Sequence, residues 1–192
     1  MEFIDDNDEK TKYDEFLKIV LLGKEDTGKT KFTERLFAIN DYYRFNKSKE
    51  NILTSAVLYL AKKVKFQDKL FNLGIWDTAG RQNFESIASI FYKNCDVILL
   101  FYDSFNKQSF ERIKEIYKDC IIQNINKKCI YFVIRNKYDL KVKDKEYVSD
   151  EEVLEFADKN NIFFTHMSSY EKYETGIENL IYLILNEFCK YK

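Results

Sequence analysis

The chain has 192 residues, enough for one domain with a core of its own, and contains no proline and only five glycines. Its 31 Lys and Arg residues nearly cancel its 32 Asp and Glu residues. This excludes nucleic acid or an anionic membrane as a partner recruited by bulk charge, so function must be argued from sites.

Residues 1–14 read as a short acidic tail ahead of a single domain spanning 15–192, with no internal repeat or flexible linker. The first ten residues lack a basic start followed by an apolar run, so no secretory signal is expected. No glycine follows Met1, which removes N-myristoylation. No apolar run approaches the roughly 20 residues a membrane helix needs, and the expectation is a cytoplasmic, soluble monomer. Cys95, Cys120, Cys129 and Cys189 show no C-x-x-C spacing and read as free thiols of a reducing compartment.

Along the chain, apolar runs alternate with helical patterns. Phe16 to Leu22 reads as a strand and Lys29 to Ala38 as the opening of a helix, followed by a polar, aromatic loop from Ile39 to Leu53. Ala56 to Phe66 and Leu70 to Trp76 read as a hairpin joined by Gln67-Asp68-Lys69. A helix over Phe84 to Lys93 precedes a buried strand, Val97 to Tyr102, and Ser109 to Ile122 has helical period. Cys129 to Ile134 is a further strand. Ser149 and Glu152 form a capping box that starts a helix running to about Lys159. Ile162 to Thr165 and Ile177 to Phe188 complete the set as strand and helix. The alternation predicts an α/β fold with a mostly parallel, six-stranded sheet and helices on both faces, its ligand at the carboxyl ends of the strands.

The chemistry concentrates at those strand ends. Gly23-Lys24-Glu25-Asp26-Thr27-Gly28-Lys29-Thr30 fits G-x-x-x-x-G-K-[ST] between a strand and a helix, the context the motif requires. Gly23 and Gly28 let the backbone curl so that N–H groups face phosphate oxygens, and the helix N-terminus adds partial positive charge. Lys29 would reach the β- and γ-phosphates, and the Thr30 hydroxyl would hold Mg²⁺. Asp77 and Gly80, within Ile75-Trp76-Asp77-Thr78-Ala79-Gly80, suit the Mg²⁺ hydration shell and a γ-phosphate. Thr54 is placed to close over a second metal position. Asp139 can accept from the adjacent N–H donors of guanine, which excludes adenine and an ATP-using enzyme. Backbone N–H groups at Ser168 and Ser169 suit the guanine carbonyl. His166 has no partner for catalysis and reads as structural.

These motifs, over about Phe16 to Phe188, resemble the Ras superfamily of small GTPases, whose phosphate loop, D-x-x-G and N-K-x-D motifs are all present. Within it the chain resembles the Rab family, through Ile75 to Gly80, through Thr54-Ser55-Ala56-Val57-Leu58-Tyr59, similar to T-I-G-x-x-F, and through Phe91-Tyr92-Lys93-Asn94, similar to Y-Y-R-G. The resemblance implies a GTP/GDP switch with Mg²⁺ held by Thr30, Thr54 and Asp77. It implies a guanine pocket of Asn136, Lys137, Asp139, Ser168 and Ser169, and a phosphate cradle from Gly23 through Glu25, Asp26, Thr27 and Gly28 to Lys29. Tyr59, Trp76 and Phe91 fall on the family's effector-facing aromatic triad. Exchange factors, GTPase-activating proteins and effectors of vesicle traffic are the implied partners.

Departures from the pattern carry their own expectations. Arg81 stands where the family's water-positioning glutamine follows D-T-A-G; arginine does not orient water as an amide does, though it could stabilise phosphate charge, and Gln82, one place later, could swing into the role. Glu25 and Asp26 put carboxylates beside the phosphates. GTP binding with slow hydrolysis is therefore expected, Gly80, Arg81 and Gln82 being the catalytic set. Thr54 follows Thr30 by 24 positions, a longer first-switch loop than the pattern has, and Tyr42 or Tyr43 is the expected cover for the base. Ser168-Ser169-Tyr170 replaces S-A-K. Lys190 and Lys192 are wrong for a C-a-a-X signal at Cys189, so endomembrane attachment would run through partners. Two other readings stay open: a non-hydrolysing, constitutively GTP-loaded scaffold, and a soluble Ran-like transport GTPase.

Overall fold

A computed structural model describes residues 1–4, 12–39, 57–80, 90–91, 93–124, 128–140, 148–169 and 174–191. Among the described residues seven strands form one sheet: β1 (Glu2–Phe3), β2 (Glu15–Leu22), β3 (Val57–Phe66), β4 (Lys69–Thr78), β5 (Val97–Asp103), β6 (Ile130–Asn136) and β7 (Phe163–His166). Among the described residues four helices accompany it: α1 (Lys29–Ala38), α2 (Lys107–Gln123), α3 (Asp150–Asn160) and α4 (Glu174–Lys190). The sheet order is β1-β3-β4-β2-β5-β6-β7. Every pairing from β4 through β2, β5 and β6 to β7 is parallel, while β1 and β4 run antiparallel to β3.

The α/β class and the helices on both faces match expectation; the strand count does not. The seventh strand comes from the segment read as tail. Glu2 and Phe3 pair with Lys65 and Val64, and Phe3 is buried in the same apolar cluster as Val64 and Phe66. One phenylalanine that can enter the core is enough to dock a two-residue strand on an open edge.

Alternation along β2 shows why both faces need helices. Leu17, Ile19 and Leu21 join the cluster with Phe32 and Leu36 of α1 and Ile177, Ile181 and Ile184 of α4. Val20 and Leu22 point the other way, into a cluster with Phe110 and Ile113 of α2 and Val153 of α3. With strands apolar on both sides, a sheet exposed on either face would leave that apolar surface in water.

Element ends refine the sequence reading. The β3–β4 turn has two residues, Gln67 and Asp68, both left-handed (φ 48° and 61°), and Lys69 belongs to the strand. The α3 cap forms as expected, Glu152 N–H donating to Ser149 Oγ at 3.2 Å. The Glu152 carboxylate, expected to reach back to the cap, lies 3.3 Å from Lys114 Nζ and 3.8 Å from Lys107 Nζ. Most of the loop 39–53 and of the helix expected over 84–93 lies outside the described residues.

Candidate functional site

Two clefts open side by side at the carboxyl ends of β2, β4, β6 and β7. The first, of about 380 Å³, is bordered by Glu25, Asp26, Gly28 to Lys31, and Thr78 to Gly80. The second, of about 190 Å³, is bordered by Gly28, Lys31, Asn136, Lys137, Asp139, Leu140, Ser168 and Ser169. Together they gather most of the residues read from the sequence as nucleotide-binding.

The first cleft is built by backbone conformation. Gly23 has φ 144° and Gly28 φ 92°, values that a side chain would strain. A Cβ on Gly28 would also meet Asn136 Nδ2 at 2.1 Å. Asp26, at φ 62°, is left-handed as well, so the loop curls between its two glycines. It leads into α1, whose N-cap, Gly28, supplies no side-chain cap. Gly28 to Lys31, the start of the helix, border the cleft, and an uncapped helix N-terminus is a place that takes an anion.

Lys29 is buried and donates to the carbonyls of Gly23 and Lys24, both at 2.8 Å. Burial pushes its pKa down to about 8, against the pull of Asp77, Asp26 and Glu25. Burial likewise raises the pKa of Asp77, although a Thr30 hydrogen bond and the Lys29 charge oppose the rise. Asp77 Oδ1 is buried with no hydrogen-bond partner among the described residues, which costs free energy unless something pairs with it. A hard cation is what this arrangement fits: a carboxylate oxygen in need of a partner beside the Thr30 hydroxyl. Among the described residues no cluster of three His, Cys, Asp or Glu stands ready to hold a metal. The two oxygens suit an ion that keeps its waters or takes phosphate ligands, as Mg²⁺ does.

Gly80 lies directly on the phosphate loop. Its carbonyl accepts from the Glu25 N–H at 3.0 Å, and a Cβ there would stand 2.3 Å from Glu25 N. Asp77 and Thr78 are the last residues of β4, not a loop after it, and Thr78 Oγ1 donates to the Leu21 carbonyl at 2.7 Å.

Asn136 ties the two clefts together. It ends β6 and is buried, its Nδ2 donating to the Thr27 carbonyl at 2.8 Å. Its Oδ1 accepts from the Ser169 N–H and Oγ, both at 3.1 Å. Lys137 is left-handed (φ 61°) and donates to Asp103 Oδ2 at 2.8 Å. Asp139 borders the second cleft at a half-buried position. His166 is exposed, its ring 4.5 Å from that of Tyr138.

Three residues here escaped sequence reasoning. Asp103 holds Lys137, and its signal was a lone acid closing an apolar strand. Ser104 Oγ donates to the Asn136 carbonyl at 2.7 Å. Arg135 is fully buried beside Asn136, donating to Tyr102 Oη at 2.5 Å, to the Val148 carbonyl at 2.9 Å and to Asp150. A charge within a buried strand carries no pattern that would flag it.

Of the expected triad, Tyr59 and Trp76 touch, ring centroids 4.7 Å apart, and Tyr59 is half exposed. Phe91 is half-buried. Tyr42, Tyr43, Thr54, Arg81 and Gln82 lie outside the described residues.

Comparison with known proteins gives the family of the chain. The Ras family profile matches residues 18–190. Ras-related protein RABG3e of Arabidopsis thaliana is 31% identical over 178 residues, covering 91% of this chain and 82% of that protein. Ras-related protein Rab-1 of Theileria parva is 32% identical over 166 residues, 86% of this chain and 71% of its own. Ras-related protein Rab7 of Pisum sativum is 31% identical over 159 residues, 81% and 74% respectively.

Proposed function

This chain belongs to the Ras family of small GTPases, on its Rab side, and from that premise we propose a guanine-nucleotide switch that hydrolyses GTP slowly and recruits effectors in vesicle traffic. The observation that carries the proposal is the pair of adjoining clefts. One has the start of α1 with Lys29 and Thr30, next to an Asp77 oxygen that has no partner among the described residues; the other has Asn136, Lys137 and Asp139. A guanine nucleotide needs both, side by side.

In this reading the loop N–H groups and Lys29 bind the β- and γ-phosphates, and Asp139 accepts from the guanine edge while Lys137 covers the ring. Thr30, Asp77 and Thr54 hold Mg²⁺, which when bound offsets phosphate charge. The Gly80 N–H senses the γ-phosphate. Gly80 and Thr54 release when that group leaves, which gives two partner-binding states. Exchange factors, activating proteins and effectors follow from family membership. Among the described residues no helix is long and apolar enough to cross a membrane, and peripheral attachment through partners is the proposal.

Slow hydrolysis rests on Arg81 and Glu25. Arg81 has no acceptor with which to orient water. Glu25 borders the phosphate cleft and is exposed, so its repulsion of a triphosphate is on the order of 1 kcal/mol. Both features also favour the second reading, a GTP-loaded scaffold. The test is chromatography of the nucleotide released on denaturing protein purified without added nucleotide. GDP supports a cycling switch, GTP supports the scaffold, and adenine nucleotide or none refutes both. Single-turnover hydrolysis should quicken in Arg81→Gln; no gain would remove Arg81 as the cause.

A further inference from the structure

We propose that Arg135 is a positioning residue of the second cleft: by fastening Val148 it holds Asn136, Lys137 and Asp139 in the arrangement that selects guanine. The inference rests on the guanine-nucleotide reading above and adds to it a side chain that lies behind the cleft without bordering it.

Arg135 is the last residue but one of β6 and is 1% exposed. Its guanidinium reaches across the sheet, 5.9 Å from the Tyr102 ring centre on β5 and 5.4 Å from the Phe164 ring centre on β7. The two terminal nitrogens go to one place. Nη2 donates to the Val148 carbonyl at 2.9 Å, and Nη1 donates to Asp150, the first residue of α3. The chain that leaves β6 at Asn136 is thus fastened, on its return, to the residue just before its point of departure.

A hydrogen-bond circuit carries that fastening to the cleft. The Val148 N–H donates to the Ser104 carbonyl at 3.2 Å. Ser104, fully buried, gives both its N–H and its Oγ to the Asn136 carbonyl, at 3.1 and 2.7 Å. That carbonyl belongs to the peptide joining Asn136 to Lys137, whose left-handed backbone (φ 61°) turns the chain toward Asp139. The Leu140 N–H closes this turn on the Lys137 carbonyl at 3.1 Å.

Packing alone does not account for an arginine here. An apolar chain of similar reach would fill the space without the cost of burying a charge. What the guanidinium adds is a set of directional donors to the returning chain. Such a supporting shell matters where an acceptor must sit within about 0.5 Å of its working place. Asp139 is that acceptor in the guanine reading, because guanine presents two adjacent N–H donors to it.

The experiment compares release of fluorescent GDP and of fluorescent IDP, which lacks the 2-amino group, from the Mg²⁺-loaded wild type and from Arg135→Met, Arg135→Lys, Ser104→Ala and Ile113→Ala. Because IDP offers one donor in place of two, the ratio of the two release rates reads the placement of Asp139. A general loosening of the fold speeds both releases alike and leaves the ratio unmoved. Arg135→Met is expected to release GDP about tenfold faster and to lower the preference for GDP over IDP about threefold. Arg135→Lys keeps a donor for the Val148 carbonyl and lies between wild type and Arg135→Met. Ser104→Ala breaks the circuit beside Asn136 and moves both readings the same way, so the test stands even if Arg135→Met does not fold. Ile113→Ala opens a cavity in the apolar cluster on the same face of the sheet without touching the circuit, and keeps the wild-type preference. The assignment is overturned if Arg135→Met releases GDP at the wild-type rate, if it speeds both nucleotides by the same factor, or if Ile113→Ala lowers the preference as much. A wild type that binds neither nucleotide, or does not prefer GDP, overturns the guanine-nucleotide reading itself; a wild type that prefers GDP isolates the failure to Arg135.

Discussion

Asn136 and Thr27 are 109 positions apart, yet the Asn136 amide donates to the Thr27 carbonyl at 2.8 Å in a buried contact. Because the same side chain accepts twice from Ser169, the phosphate loop and the base loop are fixed by one amide. Asn136→Ala strands a buried carbonyl and a buried N–H, each worth roughly 1–3 kcal/mol. The expected loss is about 2–5 kcal/mol in urea unfolding, together with faster GDP release. A loss below about 1 kcal/mol would show that water replaces the amide and that the clefts are held otherwise.

Gly28→Ala tests the same contact from the other side. Its Cβ would stand 2.1 Å from Asn136 Nδ2 on a backbone at φ 92°. Strain of about 1–3 kcal/mol and loss of tight nucleotide binding are expected. Gly176→Ala is the contrast: among the described residues its Cβ would meet only Met167 Cβ, at 3.7 Å, an ordinary contact for a residue in α4. That variant should gain up to ~1 kcal/mol, because alanine loses less backbone entropy in a helix. Thermal melts of the two proteins, run together, check both signs.

How much of this was legible in the sequence follows from the physics of each residue. The stretch Lys29 to Ala38, read as the opening of a helix, is helical throughout, since a glycine before it and an apolar period within it mark both start and face. Strand ends were read short because apolar pattern stops at the first polar residue. Asp77 and Asn136 are polar, buried and still in the ladder. The two-residue β1 is shorter than any periodic window, and Gln67 gives no sign of its left-handed turn. Charge reads as surface, so Arg135 was invisible: its place inside depends on Tyr102, Val148 and Asp150, which only the fold brings to it.

Arg135 therefore supplies the next expectation. Truncation to alanine leaves a cavity and removes the donors to Tyr102 Oη and the Val148 carbonyl, for a cost of about 3–5 kcal/mol. Arg135→Met fills the volume and removes the buried charge, so its cost should be smaller, roughly 1–3 kcal/mol. Asp150 is 64% exposed, and Asp150→Ala should cost under about 1 kcal/mol. If Asp150→Ala matched Arg135→Ala in denaturant unfolding, the ion pair and not the buried hydrogen bonds would be the anchor.

Trp76 is the chain's single tryptophan, so the outward face of β4 can be read by its own fluorescence. Tyr59 covers it at 4.7 Å, Phe16 meets it edge-on at 6.2 Å, and the Lys18 ammonium lies 5.3 Å from its ring centre. Gly74 makes room: a Cβ there would meet the Phe16 and Trp76 rings at 2.6 and 2.7 Å. Because Tyr59 is 49% exposed, Tyr59→Ala should change unfolding free energy by less than about 1 kcal/mol. It should nevertheless shift Trp76 emission to the red as water replaces the phenol. Gly74→Ala should shift the emission and also destabilise the fold by about 1–3 kcal/mol, because both rings must leave their packed positions. A Tyr59→Ala protein that lost several kcal/mol would show that the aromatic pair belongs to the core, and the proposal that it faces a partner would fall with that result.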